Sequence, residues 1–401
     1  MSSDGFKTLD GVDVSGKRVL VREDFNVPLA DGKVSDDTRL EVAIPTIRRL
    51  ISGGAKTILI SHFDRPKGKR VPSMSLKPVV GPLEQLLGAP VAFAEDCVGE
   101  LADKAVSAMK PGDVLLLQNL RYHAGEEAND PAFAKELAAN GDLYVDDAFS
   151  AAHRAHASTE ALAHLLPAYA GEAMRRELTA LEQALGHPKR PVMGIVGGSK
   201  VSTKLDLLHN LILKLDRLAI GGGMANTFLF ANGWEVAASY CEKDLAAAAR
   251  GIMAFAEKRG CELLLPVDIV VAERPEPGAA ARVRELGELD PHERILDAGP
   301  KTVERLCHAM DESQTLVWNG PLGVFETPPF DKGTVAAAEH AAARVKAGKL
   351  VAVAGGGDTV AALNAAHVAQ DFSFVSTAGG AFLEWMEGKT LPGVEALKRA
   401  G

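Results

Sequence analysis

Cysteine is scarce in this 401-residue chain: Cys97, Cys241, Cys261 and Cys307 stand far apart and form no CxxC pair. That spacing excludes a disulfide framework and a cysteine metal cluster, and it fits a reducing cytoplasm. No apolar run approaches the ~18 residues of a spanning helix, and Met1–Lys7 has no apolar signal core, so neither a membrane span nor a secretory leader is expected. Aromatics are only 5% of the residues against 39 glycines, a balance suited to an α/β protein with many tight strand–helix turns. The net charge of −9 argues against nucleic acid or an anionic membrane as partner. HxH and HExxH arrangements are missing, so histidines give no metal signature. A P-loop is missing too: Gly388-Lys389-Thr390 occurs, but Leu383 stands where its first glycine belongs. The first strand runs out in Asn26-Val27-Pro28 rather than GxGxxG, which excludes a dinucleotide-dependent dehydrogenase.

What the chain does have is alternation. Apolar β-branched runs at Arg18–Glu23, Thr57–Ser61, Val91–Phe93, Val114–Leu117 and Leu143–Asp146 alternate with helical patterns such as Asp37–Ser52, Leu76–Leu87 and Pro131–Ala139. The second half repeats this with strands at Val192–Val196, Arg217–Ile220, Leu263–Leu265, Thr315–Val317, Leu350–Val353 and Phe374–Val375, and helices at Asp331–Ala347 and Thr359–Ala366. Continuous rather than alternating apolar strands mean parallel sheets covered on both faces, hence doubly wound α/β domains. The length requires two of them. The divide falls near Pro167–Pro191, where Gly171–Leu185 reads as a connecting helix with prolines on both sides.

In doubly wound sheets ligands bind outside the carboxyl ends of the strands. In the first half those ends supply Asp24 and Asn26, expected to face the same way as the strand runs out, then Arg39 in the next helix. They also supply His62 and Arg65, Arg121, and His153, Arg154 and His156. Four arginines at successive strand ends of an acidic protein imply a small polyanionic ligand, because the planar fork matches carboxylate and phosphate.

The second half is rich in glycine. Gly194–Lys204 reads as a strand end, a tight turn and a helix carrying Lys200 and Lys204 on one face, a phosphate-binding arrangement. Three more glycine-rich strand ends follow: Gly221–Gly223, Gly355–Gly357 with Asp358-Thr359, and Ser376–Gly380. Together they form a rim of backbone N–H groups for a long ligand carrying phosphates. Asp358 either caps its helix or holds Mg²⁺. Asn319 and Glu326 lie on a Gly/Pro loop, where the carboxylate suits ribose hydroxyls or loop hydrogen bonding.

These motifs, in order and over nearly the whole chain, resemble the phosphoglycerate kinase family. The matching residues include Val21-Arg-Glu-Asp-Phe-Asn-Val-Pro28, Ser61-His-Phe-Asp-Arg-Pro66, Asn119-Leu-Arg121, Ala152-His-Arg-Ala-His156, Gly197-Gly-Ser-Lys-Val201, Val317-Trp-Asn-Gly-Pro321 and Gly355-Gly-Gly-Asp-Thr359. The resemblance implies two Rossmann-like domains joined by an interdomain helix and hinge: residues 1–170 with a returning tail 390–401, and residues 171–389 beginning with the helix 171–186. It implies 3-phosphoglycerate on Asp24, Asn26, Arg39, His62, Arg65, Arg121 and Arg154. It implies MgADP or MgATP on Lys200, Lys204, Gly223, Leu296, Asn319, Glu326, Gly355, Gly356, Gly357, Asp358 and Thr359, with Asp358 on the magnesium. The activity implied is ATP:3-phospho-D-glycerate 1-phosphotransferase, in a cytoplasmic monomer. The sequence departs from the family pattern at Asp64, where glycine is usual, at Gln118 for glutamate, and at Ala378 for a third glycine.

Both reacting oxygens of such a transfer are already ionised at pH 7, so no general base is needed. Alignment and charge neutralisation are, and they fall to Arg39, Lys200, the metal near Asp358, and helix amides at Gly356 and Gly379. A non-catalytic two-lobed binding protein shares the hinged α/β architecture but has no use for two lysines and four glycine rims in one lobe.

Overall fold

The computed structural model describes residues 5–399. The first four residues of the amino-terminal span and the last two of the tail lie outside them. The chain divides into two compact units: one runs to Thr179 and takes in the segment from Thr390 onward, and the other is Ala180–Lys389.

The first unit is built on strands β1 (Arg18–Glu23), β2 (Lys56–Ser61), β3 (Val91–Ala94), β4 (Val114–Leu117), β5 (Leu143–Asp146) and β6 (Ala168–Ala170). They form one sheet in the order β3-β4-β2-β1-β5-β6, and every pairing is parallel. Val19, Leu20 and Val21 of β1 are fully buried because helices cover both faces. The helix Thr38–Ser52 lays Leu40, Ala43, Ile47 and Leu50 on this core, which leaves Arg39 in its first turn at the rim of the sheet. The expected helix Leu76–Leu87 is split, with a 3₁₀ turn at Lys77–Val79 before the α-helix Val80–Leu87. Proline at position 78 has no N–H to give to the first α-turn.

The second unit carries β7 (Val192–Val196), β8 (Arg217–Ile220), β9 (Glu262–Leu264), β10 (Asp268–Ala272), β11 (Arg282–Glu285), β12 (Arg294–Ala298), β13 (Thr315–Asn319), β14 (Val351–Gly355) and β15 (Phe374–Ser376). Its main sheet is again parallel, in the order β9-β8-β7-β13-β14-β15. The strand order reverses between β7 and β13, which sets the crevice where a ligand fits. Beside it lies a three-stranded antiparallel sheet, β11-β10-β12. The sequence reading contained no such sheet, since Arg-Val-Arg-Glu in β11 is largely exposed and has no apolar run to read. The connecting helix is α-helical over Glu172–Leu181 and continues as a wider π-type turn over Glu182–Gly186.

Candidate active site

At the carboxyl end of the first sheet, β1 stops at Glu23, so Asp24 and Asn26 sit in the following loop rather than on the strand. Their convergence comes from hydrogen bonds instead of strand alternation. One guanidinium nitrogen of Arg39 donates to Asp24 Oδ2 at 2.9 Å and to the Asn26 carbonyl at 3.0 Å. Ser150 Oγ donates to the same Asp24 oxygen at 2.5 Å. Asn26 Oδ1 accepts the Asp64 N–H at 2.9 Å, and Arg121 donates to the Asp64 carbonyl at 2.7 Å. The Asp64 backbone therefore ties the loop after β1 to the arginine after β4.

His62 is buried and neutral. Desolvation, then the charge of Arg22, holds its pKa well below the ordinary imidazole range, and the fields of Arg121 and Arg154 add to this. Arg22 lies 3.1 Å from His62 Nδ1. A guanidinium can only donate, so Nδ1 accepts and Nε2 carries the proton. Arg154 is half-buried and also donates to His153 Nε2 at 3.1 Å, while Arg65 is exposed on the loop after β2. Asp24, Asn26, Arg39, His62, Arg121 and Arg154 thus come to one end of one sheet.

Beneath them is a layer that the sequence reading did not assign. Arg22 is fully buried, donating to Ser158 Oγ at 2.8 Å and to the Glu23 carbonyl. Asn119 accepts from Phe63 N and Arg121 N, both at 3.1 Å, and donates to the Phe63 and Met74 carbonyls. The available signal was a charged residue inside the apolar run of β1, because an arginine there must be paired. Buried carboxylates complete the layer: burial lifts Asp146 to about 6 and Asp147 to about 7, and burial with both neighbours pushes Glu23 well up. Asp147 Oδ1 accepts the Met174 N–H at 3.0 Å.

A raised carboxyl pKa means that the folded state holds the proton longer than the unfolded one. The contribution of Asp147 is full below its ordinary 3.8 and is lost as pH rises to about 7. At 1.36 kcal/mol per pH unit the loss is at most roughly 4 kcal/mol. Asp147→Asn keeps an acceptor for Met174 and removes the ionisation. Its Tm therefore gains on the wild type between pH 4 and 7, which differential scanning calorimetry across that range checks; a constant Tm difference contradicts the assignment.

In the second unit the loop after β7 departs from expectation. No helix carries both lysines: the α-helix begins only at Leu205, with Lys204 as its N-cap residue. Ser202 spends its N–H and hydroxyl on Glu242, at 3.1 and 2.6 Å, and Thr203 Oγ1 donates to the Lys200 carbonyl at 3.0 Å. These side-chain bonds compete with a helical ladder, so Gly197–Thr203 stays a loop. The two lysines consequently differ. Lys200 is exposed. Lys204 turns inward, donating to the Gly197 carbonyl and to Asn319 Oδ1, both at 2.6 Å, and burial brings its pKa down to about 8 against the pull of Asp358.

Asn319 and Thr359 are also buried, and neither lines the cavity. Asn319 Nδ2 donates to the Gly355 carbonyl at 2.7 Å, and Thr359 Oγ1 accepts the Gly320 N–H at 2.6 Å. Both side chains brace the loops at the strand-order reversal. Gly356 sits at φ +96° with its missing Cβ directed at Asn319 Nδ2, so no other residue fits there. Gly357 and Asp358 are exposed in the first turn of the helix Gly357–Ala365, and Gly356, not Asp358, is its N-cap. Gly379, at φ +54°, caps the helix Gly380–Met386.

A cavity of about 360 Å³ opens among these loops, lined by Gly198, Ser199, Gly222, Gly223, Leu296, Asp297, Pro321, Leu322, Glu326 and Asp358 among others. Apolar walls from Tyr240, Ile269 and Leu296 and a rim of glycine backbone suit a flat base with a phosphate tail. The antiparallel sheet supplies Ile269 and Leu296. Asp297 was not foreseen: its carboxylate accepts from Gly333 N at 2.7 Å and Ala298 N at 2.9 Å, and burial lifts it to about 7.

Residues 9–389 match the family model described as phosphoglycerate kinase. The chain belongs to the phosphoglycerate kinase family. It is 68% identical over 393 residues to the phosphoglycerate kinase of Caulobacter vibrioides strain NA1000, covering 98% of this chain and 99% of that one. It is 60% identical over 397 residues to that of Methylorubrum extorquens strain PA1, covering 99% of each. A solved structure of phosphoglycerate kinase from Coxiella burnetii superposes with a TM-score of 0.93 at 40% identity, covering 99% of this chain and 100% of that one. The chain is therefore a phosphotransferase of glycolytic phosphoryl transfer.

Against the phosphoglycerate kinase pattern, the three departures have structural answers. Asp64 stands at φ +51°, the left-handed region that favours glycine, which accounts for the usual residue there. Gln118 Oε1 accepts from Leu76 N at 3.0 Å and Asn119 N at 2.9 Å, and its amide donates to Ser75 at 2.9 Å, so a neutral side chain is well placed. Ala378 is absent from the positive-φ positions, and its N–H goes to Ser376 Oγ at 3.2 Å.

The Asp64 side chain is exposed and only its backbone joins the network, so Asp64→Gly is expected to keep kcat. Removing its charge beside the arginines lowers the KM for 3-phosphoglycerate roughly twofold, the scale of an exposed charge pair. Asp64→Ala gives the same KM but loses about 1 kcal/mol of stability to its backbone strain. Steady-state kinetics and urea unfolding of both variants check this; equal stabilities would show that the φ is not the reason for glycine.

Proposed function

We propose that this chain transfers the acyl phosphate of 1,3-bisphosphoglycerate to ADP, reversibly, with the acceptor acid on the first unit and the nucleotide on the second. The observation that carries the reading is the division of chemistry between them. One sheet end gathers Arg39, Arg121, Arg154 and a neutral His62, while the other offers glycine loops around a cavity with Lys200 and Asp358 exposed. The arginines orient the carboxylate and phosphate of the acid. Leu296 and Gly223 border the base, and Glu326 takes ribose hydroxyls.

An exposed carboxylate on the cavity wall is a hard oxygen donor of the kind that holds Mg²⁺ together with phosphate oxygens, so Asp358 fits the metal of a magnesium nucleotide. When bound, that ion neutralises phosphate charge. Lys200 and Arg39 then meet the charge on the moving phosphoryl group, with the amides that follow Gly356 and Gly379 around it. Lys204, Asn319 and Thr359 hold the loops in place. The same reading makes the protein a cytoplasmic monomer.

The test mixes purified protein, Mg²⁺, ATP and 3-phosphoglycerate, and follows ADP against a control lacking the acid. ADP formed only with the acid supports the reading. No turnover while both ligands still bind overturns it in favour of a binding protein.

A further inference from the structure

We propose that Asp96, Cys97 and His123 form a binding site for a zinc-like divalent cation, separate from the nucleotide's magnesium. Asp96 and Cys97 follow β3, and His123 closes the turn Leu120–Tyr122 after β4, its parallel neighbour. One ligand atom from each residue lies within 4.8 Å of the other two. Thiolate, imidazole and carboxylate together are the donor set of a borderline-soft ion such as Zn²⁺ and a poor one for Mg²⁺. Three protein donors leave a fourth position for water.

The ligands are already positioned by their neighbours. Asp96 Oδ2 accepts from Arg70 at 2.8 Å, while Oδ1 accepts the Cys97 N–H at 2.8 Å and lies beside His123 Nε2 at 2.7 Å. The His123 ring stacks on Phe133 with centroids 5.1 Å apart. The Cys97 carbonyl accepts from Asn140 Nδ2 at 3.3 Å. Such outer contacts to ligating carboxylates and imidazoles are what orient a metal site. Side-chain exposures of 31% for His123 and 22% for Asp96 give the ion a way in, with Cys97 buried beneath. Tetrahedral donors about 2.0–2.3 Å from zinc stand roughly 3.3–3.8 Å apart. Asp96 and His123 therefore separate by less than about 1 Å, and the ion replaces their hydrogen bond. As the Sγ–metal bond forms, the thiol proton leaves to solvent. The Arg70 charge limits affinity, which makes this a reversible site rather than a structural one.

The experiment titrates the reduced, metal-free full chain with Cd²⁺ and follows the ultraviolet thiolate-to-cadmium charge-transfer band. One equivalent per chain is expected, displaced by Zn²⁺ and not by excess Mg²⁺. Cys97→Ser abolishes the band, and His123→Gln weakens binding tenfold or more. Asp96→Asn, which keeps an oxygen for Arg70, does the same and serves if serine at the buried position 97 does not fold. No band in the wild type, or a band whose size and midpoint are unchanged in these variants, overturns the site. Turnover is not measured, so the outcome is independent of the proposed reaction.

Discussion

Arg39→Ala is expected to lose ~10²–10³-fold in kcat, the scale of deleting one charge-stabilising donor, while the KM for 3-phosphoglycerate rises less than about tenfold. The asymmetry follows from the geometry. Both of the intramolecular bonds of Arg39, to Asp24 and to the Asn26 carbonyl, are made by a single guanidinium nitrogen, and the side chain is 40% exposed at the rim of the sheet. In the proposed reading substrate anchoring is shared with Arg121, Arg154 and His62, so ground-state binding survives, whereas the charge on a moving phosphoryl group has fewer partners. Arg39→Lys is the informative control, since it restores the charge but not the fork. Steady-state kinetics decide the matter. A kcat within a factor of three of wild type removes Arg39 from the transition state.

The two lysines of the Gly197–Lys204 loop should separate cleanly under mutation. Lys200→Ala lowers kcat ~10²-fold or more by the same reasoning and leaves the Tm unchanged, because the residue is exposed. 3-Phosphoglycerate binding to the other unit is also unaffected. Lys204→Ala instead unfolds earlier. It strands the Gly197 carbonyl and Asn319 Oδ1, and an unsatisfied buried acceptor costs about 1–3 kcal/mol. Its nucleotide KM rises with it, since Asn319 also holds the Gly355 loop. Thermal unfolding together with isothermal titration of 3-phosphoglycerate distinguishes the pair. A Tm loss in Lys200→Ala equal to that in Lys204→Ala would refute the division.

The strands were legible because parallel strands buried on both faces read as unbroken apolar runs, and β1, β4, β5, β7 and β8 coincide with the segments read from sequence. The antiparallel β11 was not legible, because an exposed strand rich in arginine and glutamate has no such run. The Gly197–Lys204 loop was misread as helical because helix spacing ignores the bonds that Ser202 and Thr203 make elsewhere. Arg22 and Asp297 were passed over since a lone charged residue does not say which buried groups will meet it.

The sequence alone determined which chemistry was available. Arginines and histidines follow the strands of the first half and glycines follow those of the second, and strand–helix alternation puts both sets at carboxyl ends. Tertiary structure decided which of those groups stay exposed and which are spent on the protein's own loops. Lys200 and Asp358 remain exposed, while Lys204, Asn319 and Thr359 turn inward. The physical reason is that buried loop carbonyls and amides must be satisfied. Their partners come from strands distant in sequence, so only the folded chain settles which side chains are used for that purpose.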